Sequence, residues 1–269
     1  MFKSIRYVIK ENVTNLYRIY CISKYELLGE MRDSKFGLFW NFASPTIQVF
    51  TFWLVFGIAM NRKAQEGVEY LPWVVVGLCV WWFIQPCIVQ GCSAIFSKTN
   101  VITKMKFPVS ILPMTVIGKE LFNHFCMMLI AFVVLLIYGY YPNIYWLGLV
   151  YYLICAILLV EALALITSVL TMLWRDIKKL ITSLMRMLLY LSMVLFIPTF
   201  DSSLHFITYI LKLNPVYYIV QGYRDCIFFD KTFLAHPALT AYFWVVIIVL
   251  FSIGSFLMYK FKTKFIDLI

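Results

Sequence analysis

Residues 213–230 read LNPVYYIVQGYRDCIFFD. Asn214 stands where a helix N-cap belongs, and Pro215 takes the first helical position, where its missing N–H costs nothing. The spacing predicts a helix over 215–229, roughly 22 Å long at about 1.5 Å per residue, short of the roughly 30 Å hydrocarbon core of a bilayer. The wider stretch 198–237 is too apolar and aromatic for a solvated loop, yet too interrupted by polar residues to span. It predicts a segment that enters a membrane and returns. On a helical wheel, Val216, Ile219, Val220, Tyr223, Cys226 and Ile227 share one face, with Tyr217, Tyr218, Gln221, Arg224, Asp225 and Phe228 opposite. A preceding short helix over 203–213, capped from Asp201 or Ser202, completes a re-entrant pair. Non-spanning backbone at membrane depth must be enclosed by protein or reached by water. Tyr217, Tyr218, Gln221, Arg224 and Asp225 are therefore the expected pathway-facing set.

The chain around this stretch is 63% hydrophobic and 13% charged, with a mean hydropathy of +0.86. Apolar runs at 36–60, 70–95, 109–139, 146–174, 177–198 and 239–259 each exceed the eighteen or so residues a spanning helix needs. The expectation is an all-α membrane protein with one six-helix domain over 36–269. Ahead of it, in 1–35, Phe2, Ile5, Ile9, Val13, Leu16, Tyr20, Leu27 and Met31 recur at helical spacing among Lys3, Arg6, Lys10 and Arg18. That pattern predicts an amphipathic interfacial segment, and its dense charge is unlike the apolar core of a cleavable signal peptide.

A net charge of +10 could point to nucleic acid, but the basic residues sort by loop. Lys3 to Lys35, then Lys98, Lys104 and Lys106, then Arg175, Lys178 and Lys179, and finally Lys260, Lys262 and Lys264 fall on one side. By the positive-inside rule that side is cytoplasmic. Both termini belong there, the stretch 199–238 is external, and the partner of the basic surface is membrane lipid rather than nucleic acid.

Motifs for self-contained chemistry are absent from the sequence. Gly118 and Lys119 are followed by Glu120 and lack the upstream glycine of a nucleotide-binding loop, and neither H-E-x-x-H nor G-x-S-x-G occurs. The seven cysteines lie mostly in spans without a C-x-x-C pair and read as packing residues. No catalytic residue, metal site or cofactor is expected on this chain. The sequon Asn12-Val13-Thr14 falls in the segment expected to be cytoplasmic and is a chance match.

Ionisable residues inside spans need a reason, since a charge at the helix centre costs about 2.5–3.5 kcal/mol on insertion scales. Glu161 sits near the middle of the fourth span. In the third, Lys119, Glu120, Asn123 and His124 cluster, with Glu120 and His124 sharing a face. Glu120, His124 and Glu161 form a candidate buried polar cluster, read first as packing pairs. The later spans offer no chain of such groups, which disfavours a proton-coupled carrier.

The loop FSKTNVITKMKFP, 96–108, carries a short apolar insert that Thr99 or Asn100 can cap and Pro108 can stop. Lys98, Thr99, Asn100, Val101, Ile102, Lys104, Met105 and Lys106 are its candidate docking residues. Arg175 and Asp176 join them, because they follow the fourth span directly and Arg175 can meet the carbonyl end of that helix.

Four stretches carry a family resemblance: SKFGLFWNFASPTIQVFTFWLVFG at 34–57, the loop 98–108, LWRDIKKL at 173–180 and KLNPVYYIVQGYRD at 212–225. Together they resemble the membrane subunits of ABC exporters that move lipid-linked polysaccharides across bacterial membranes, most closely the wall teichoic acid branch. Phe36, Gly37, Leu38, Trp40 and Pro45 resemble, inexactly, the family's [YF]-L-G-x-x-W-x-x-x-x-P pattern. The resemblance covers the whole chain. It implies a type-2 exporter fold in the bacterial plasma membrane and a homodimer joined to two copies of a separate ATPase, which binds ATP and Mg and does the hydrolysis. It further implies that 96–108 is the coupling helix and that the re-entrant helices bound an external pathway for a lipid-linked anionic polymer. O-antigen and capsule exporters share such motifs. A different class, a membrane glycosyl or acyl transferase, would use Asp201, His205, Asp225 and His236 as acid and base groups. A passive channel or scaffold would show no dependence on the 98–108 loop.

Overall fold

The computed structural model describes residues 1–32, 35–37, 39–59, 64–104, 107–195 and 205–262. Apart from a single bridge between Gln65 and Val68, regular structure among these residues is helical. Five helical segments are long and apolar enough to cross a membrane: Phe39–Ala59, Tyr70–Gly91, Val109–Ile137, Ile144–Leu173 and Pro237–Phe261.

The N-terminal segment is two helices, α1 (Phe2–Thr14) and α2 (Leu16–Arg32), where the periodicity predicted one. Asn15 makes the joint: its backbone N–H and its side-chain amide both donate to the Glu11 carbonyl, closing α1. The two helices pack on different parts of the body. In α1, Tyr7 meets Tyr259 edge-on and Asn12 donates to Glu161. In α2, Ser23 donates to the Thr115 carbonyl at 2.8 Å, close to Gly118, whose missing Cβ leaves room for that hydroxyl.

The first span, α3 (Phe39–Phe52), runs into a π-helical stretch, Trp53–Ala59. Pro45 inside it cannot donate to the carbonyl of Asn41, a local weakness in the helical ladder. Val49 is the only buried residue of α3, so almost its whole circumference is bare in the single chain. By contrast α4 (Tyr70–Gly91) is enclosed nearly all round, which agrees with its continuous rather than one-sided apolar run. Against it pack α6 (Leu112–Ile137), α7 (Gly148–Leu173) and α10 (Pro215–Phe228), and α11 (Pro237–Phe261) closes onto α7. The main core joins Val74, Phe83, Leu159, Val220, Tyr223 and Phe243; a smaller one at the opposite end joins Val8, Ile95, Ile102, Val109 and Met258.

Two short helices carry the 96–104 loop: a 3-10 turn, Phe96–Lys98, followed directly by α5 (Thr99–Lys104). The expected fifth span, 177–198, is helical over Ile177–Leu191, which makes α8, and turns at Ser192; residues 196–198 lie outside the described set. Contacts show how far it reaches. Near its start Lys178 donates to Ser93 beyond the end of α4, and beyond its end the carbonyls of Met193 and Val194 meet Arg224 beside Trp73, near the start of α4. The segment thus runs alongside nearly the full length of α4. Beyond it α9 (His205–Lys212) precedes α10; Asp201 and Ser202, the expected caps, lie outside the described residues.

Candidate functional site

At the end of the bundle where α4 stops and α6 begins, the loop residues singled out in the sequence come together. Arg175 lies with its guanidinium 5.0 Å from the Phe96 ring centroid, so the 174–176 turn braces the 96–104 helix pair. Lys98 pairs with Glu26 of α2 at 2.6 Å, and Ser110 donates to Glu11 of α1. Ile102 is buried with Ile95 and Val109, which anchors α5 to the body rather than offering that side chain outward. Phe96, Ser97 and Asn100 remain exposed, as do Arg175 and Asp176, the latter paired only with Lys179 at 3.0 Å. Met105 and Lys106, with the side chains of Val101 and Lys104, lie outside the described residues. In α1 nearby, burial and the Glu11 carboxylate hold the Tyr7 phenol well above its ordinary pKa. Among the described residues the 96–104 helix pair is held at Phe96, Lys98 and Ile102, while Phe96, Ser97 and Asn100 are exposed.

Inside the spans, the expected cluster of Glu120, His124 and Glu161 separates into three environments. Glu120 accepts from Gln90 and Asn123, both at 2.9 Å, and pairs with Lys119 at 3.2 Å; Lys119 also donates to Glu30 and to the side-chain amide oxygen of Gln90, each at 2.7 Å. Asn41 of α3 donates to Asn123, extending the network to the bare first span. His124, one turn further on, instead lies 3.2 Å from the Cys79 carbonyl and 3.3 Å from the Tyr223 hydroxyl, tying α6 to α4 and α10. Glu161 accepts from Asn12 at 3.1 Å across an apolar groove of about 450 Å³ bounded by Ile5, Ile9, Leu16, Met114 and Phe251. Glu120, Lys119, Asn123 and Gln90 satisfy one another at depth, as the cost of leaving such groups unpaired requires, whereas the Asn12 side-chain oxygen is buried without a hydrogen-bond partner among the described residues. Gln90, Asn41, Glu30 and Asn12 were not singled out from sequence. Gln90 carried a signal, being an amide inside an apolar run; the pairing of Asn12 with Glu161 carried none.

The third expected set sits at the opposite end of the bundle, and its surroundings differ from the wheel. Asn214 caps α10 by accepting from the Val216 N–H at 3.0 Å, with Pro215 at the first position, as the local sequence predicts. Eleven of the fourteen residues of α10 are nevertheless buried, so it has no single free polar face. Arg224 is fully enclosed: it donates to the carbonyls of Met193, Val194 and Trp73 and lies 3.9 Å from the Trp73 ring centroid. Its fork closes the open carbonyl end of the segment after α8, which explains how that segment ends in a turn at depth. Gly77 permits this, since a Cβ there would lie 2.5 Å from the Val194 oxygen and 2.7 Å from Arg224 Nη2. Tyr217 and Tyr218 are buried, Tyr218 near Tyr151 and Thr240; Asp225 takes a hydrogen bond from the Gln221 amide and lies 3.4 Å from His236. In the single chain Tyr217, Tyr218, Arg224 and Asp225 are buried and Gln221 is half-buried.

A body of apolar spanning helices, a polar network at depth and a braced surface helix at one end define a multi-span membrane transport subunit. Residues 17–228 match the family model described as ABC-2 type transporter, and the chain belongs to that family. Among curated proteins it is similar to the O-antigen export system permease protein RfbA of Myxococcus xanthus, 25% identical over 86% of this chain and 87% of the relative. It is also similar to the protein of that name from Klebsiella pneumoniae, 20% identical over 92% of this chain and 93% of the relative. The names of these relatives refer to O-antigen, and not to the teichoic acid branch expected from the short motifs of the sequence.

Proposed function

We propose that this chain is the membrane half of an ATP-driven exporter that moves a lipid-linked cell-surface polysaccharide outward across a bacterial plasma membrane. The observation that carries the reading is the braced helix at 96–104: Arg175 on Phe96, Glu26 on Lys98 and buried Ile102 fix it to three parts of the body. A separate ATPase, which binds ATP and Mg, seats on it. Movement of that helix passes to α2 through Glu26 and to the α7–α8 turn through Arg175, so a push from the partner reaches several spans together. A second copy of the chain covers bare α3, two ATPase copies complete the assembly, and both termini face the cytoplasm. No bond in the substrate is made or broken on this chain.

The polymer is read as a lipid-linked glycan of the O-antigen kind named for the relatives. Wall teichoic acid is the second reading, supported by KLNPVYYIVQGYRD and LWRDIKKL. The experiment is co-reconstitution with the ATPase in liposomes, supplied in turn with lipid-linked neutral glycan and with lipid-linked polyol phosphate. ATP-dependent delivery of either supports the exporter reading, and which one is delivered decides the polymer.

A further inference from the structure

Between α3, α4 and α6 lies a cavity of about 220 Å³ lined by Asn41, Pro45, Gln48, Trp82, Glu120 and Asn123, with Met127 at its edge. A packing network needs no cavity, because protein interiors normally close to crystal-like density. One wall of this cavity is α3, whose single buried residue is Val49. The same face of α3 carries a row of polar side chains, Asn41, Ser44, Gln48 and Thr51, at helical spacing along a membrane span. A polar stripe is costly against lipid tails and is tolerated where it faces protein or a water-filled passage.

We infer that this cavity is a binding site for one uncharged sugar unit of the transported polymer, an inference that rests on the exporter reading. The chemistry is that of hydroxyl recognition. Glu120 has both carboxylate oxygens engaged, one by Gln90 and the other by Asn123, and Asn123 in turn accepts from Asn41. The chain of donors runs toward the carboxylate, which polarises the Asn41 amide and strengthens its oxygen as an acceptor for a sugar hydroxyl. Gln48 is exposed, donates to Ser44 at 3.4 Å, and offers an amide donor and acceptor one turn beyond Pro45. Trp82 supplies an aromatic surface for the apolar face of a sugar ring. Charge sets the specificity. The linked group carries two carboxylates, Glu30 and Glu120, against one ammonium, Lys119, so the site disfavours a phosphate and favours neutral hydroxyls.

The test measures equilibrium binding of a radiolabelled polyprenyl-linked trisaccharide of neutral hexoses to the detergent-solubilised full chain with its ATPase, with export measured separately in liposomes. Gln48→Ala, at a position exposed in the single chain, and Trp82→Ala are each expected to weaken binding about tenfold, equivalent to ~1.4 kcal/mol, with the melting temperature of each variant measured alongside. Trp82→Phe is expected to restore most of it, and free oligo(glycerol phosphate) to leave it unchanged. Unaltered affinity in both alanine variants, or equal competition by oligo(glycerol phosphate), overturns the site. Absence of binding by the unmodified complex overturns it too; if ATP-dependent export persists in that case, the exporter reading stands without it.

Discussion

Arg224 sits 30 and 31 residues from two of its three carbonyl partners and 151 from the third. A helical wheel places such a residue on a polar face and has no means of finding acceptors so far away in the chain. Asn214 and Pro215 were legible for the opposite reason, because a cap acts two residues on. Arg224→Met removes the donor to three buried carbonyls, each costing about 1–3 kcal/mol when unsatisfied. A marked fall in thermal stability of the solubilised protein is expected, and an unchanged melting temperature would show that water serves those carbonyls instead. Gly77→Ala tests the same contact from the other side. Its Cβ meets the Val194 backbone oxygen, which cannot swing away, so a loss of about 1–3 kcal/mol in unfolding measurements is expected. The signal that could have been read beforehand was the glycine itself, a small residue in the middle of an otherwise bulky apolar run.

The helices of 96–104 show what an element adds to its residues. Composition marked this loop as basic and capped, and that much was local. What the sequence could not show was that Phe96 faces Arg175 and Lys98 faces Glu26, contacts that join three separate segments. An exposed cation–π contact is worth about 0.5–1 kcal/mol. Arg175→Ala is therefore expected to weaken association with the ATPase by about two- to fivefold in pull-down titrations while leaving the spans folded. A greater coupling defect than binding defect, seen as ATP hydrolysis without export, would place Arg175 in transmission. The polar residues of the third span were legible as a group because they break an apolar run. That Glu120 and His124 have separate environments was not, since residues a turn apart on one helix face different neighbours, and neither was the third environment around Glu161 on α7. Glu161→Gln keeps an acceptor for Asn12 and is expected to retain stability; Glu161→Leu leaves the Asn12 amide with only the Val8 carbonyl and is expected to lower it.

At the scale of the whole molecule, the enclosed α4 and the bare α3 set the architecture. α3 has one buried residue and a polar stripe, and the exporter reading proposes a second copy as what covers it. A cysteine introduced by Ile47→Cys, on an exposed position of α3, is expected to cross-link two copies in native membranes; a monomer under the same conditions would contradict that arrangement. The all-helical membrane fold was legible from hydropathy alone. The reach of the fifth segment was legible as the apolar run 177–198; the stop of its helix after Leu191 and the distant arginine on the carbonyls beyond it were not. The most direct test of the central claim is transport by the chain and its ATPase in sealed liposomes, with delivery of lipid-linked polysaccharide read on the far side. Delivery that needs both ATP and the ATPase, and falls when Arg175 or Phe96 is replaced by alanine, is the predicted result. Delivery at the same rate without the ATPase would contradict it.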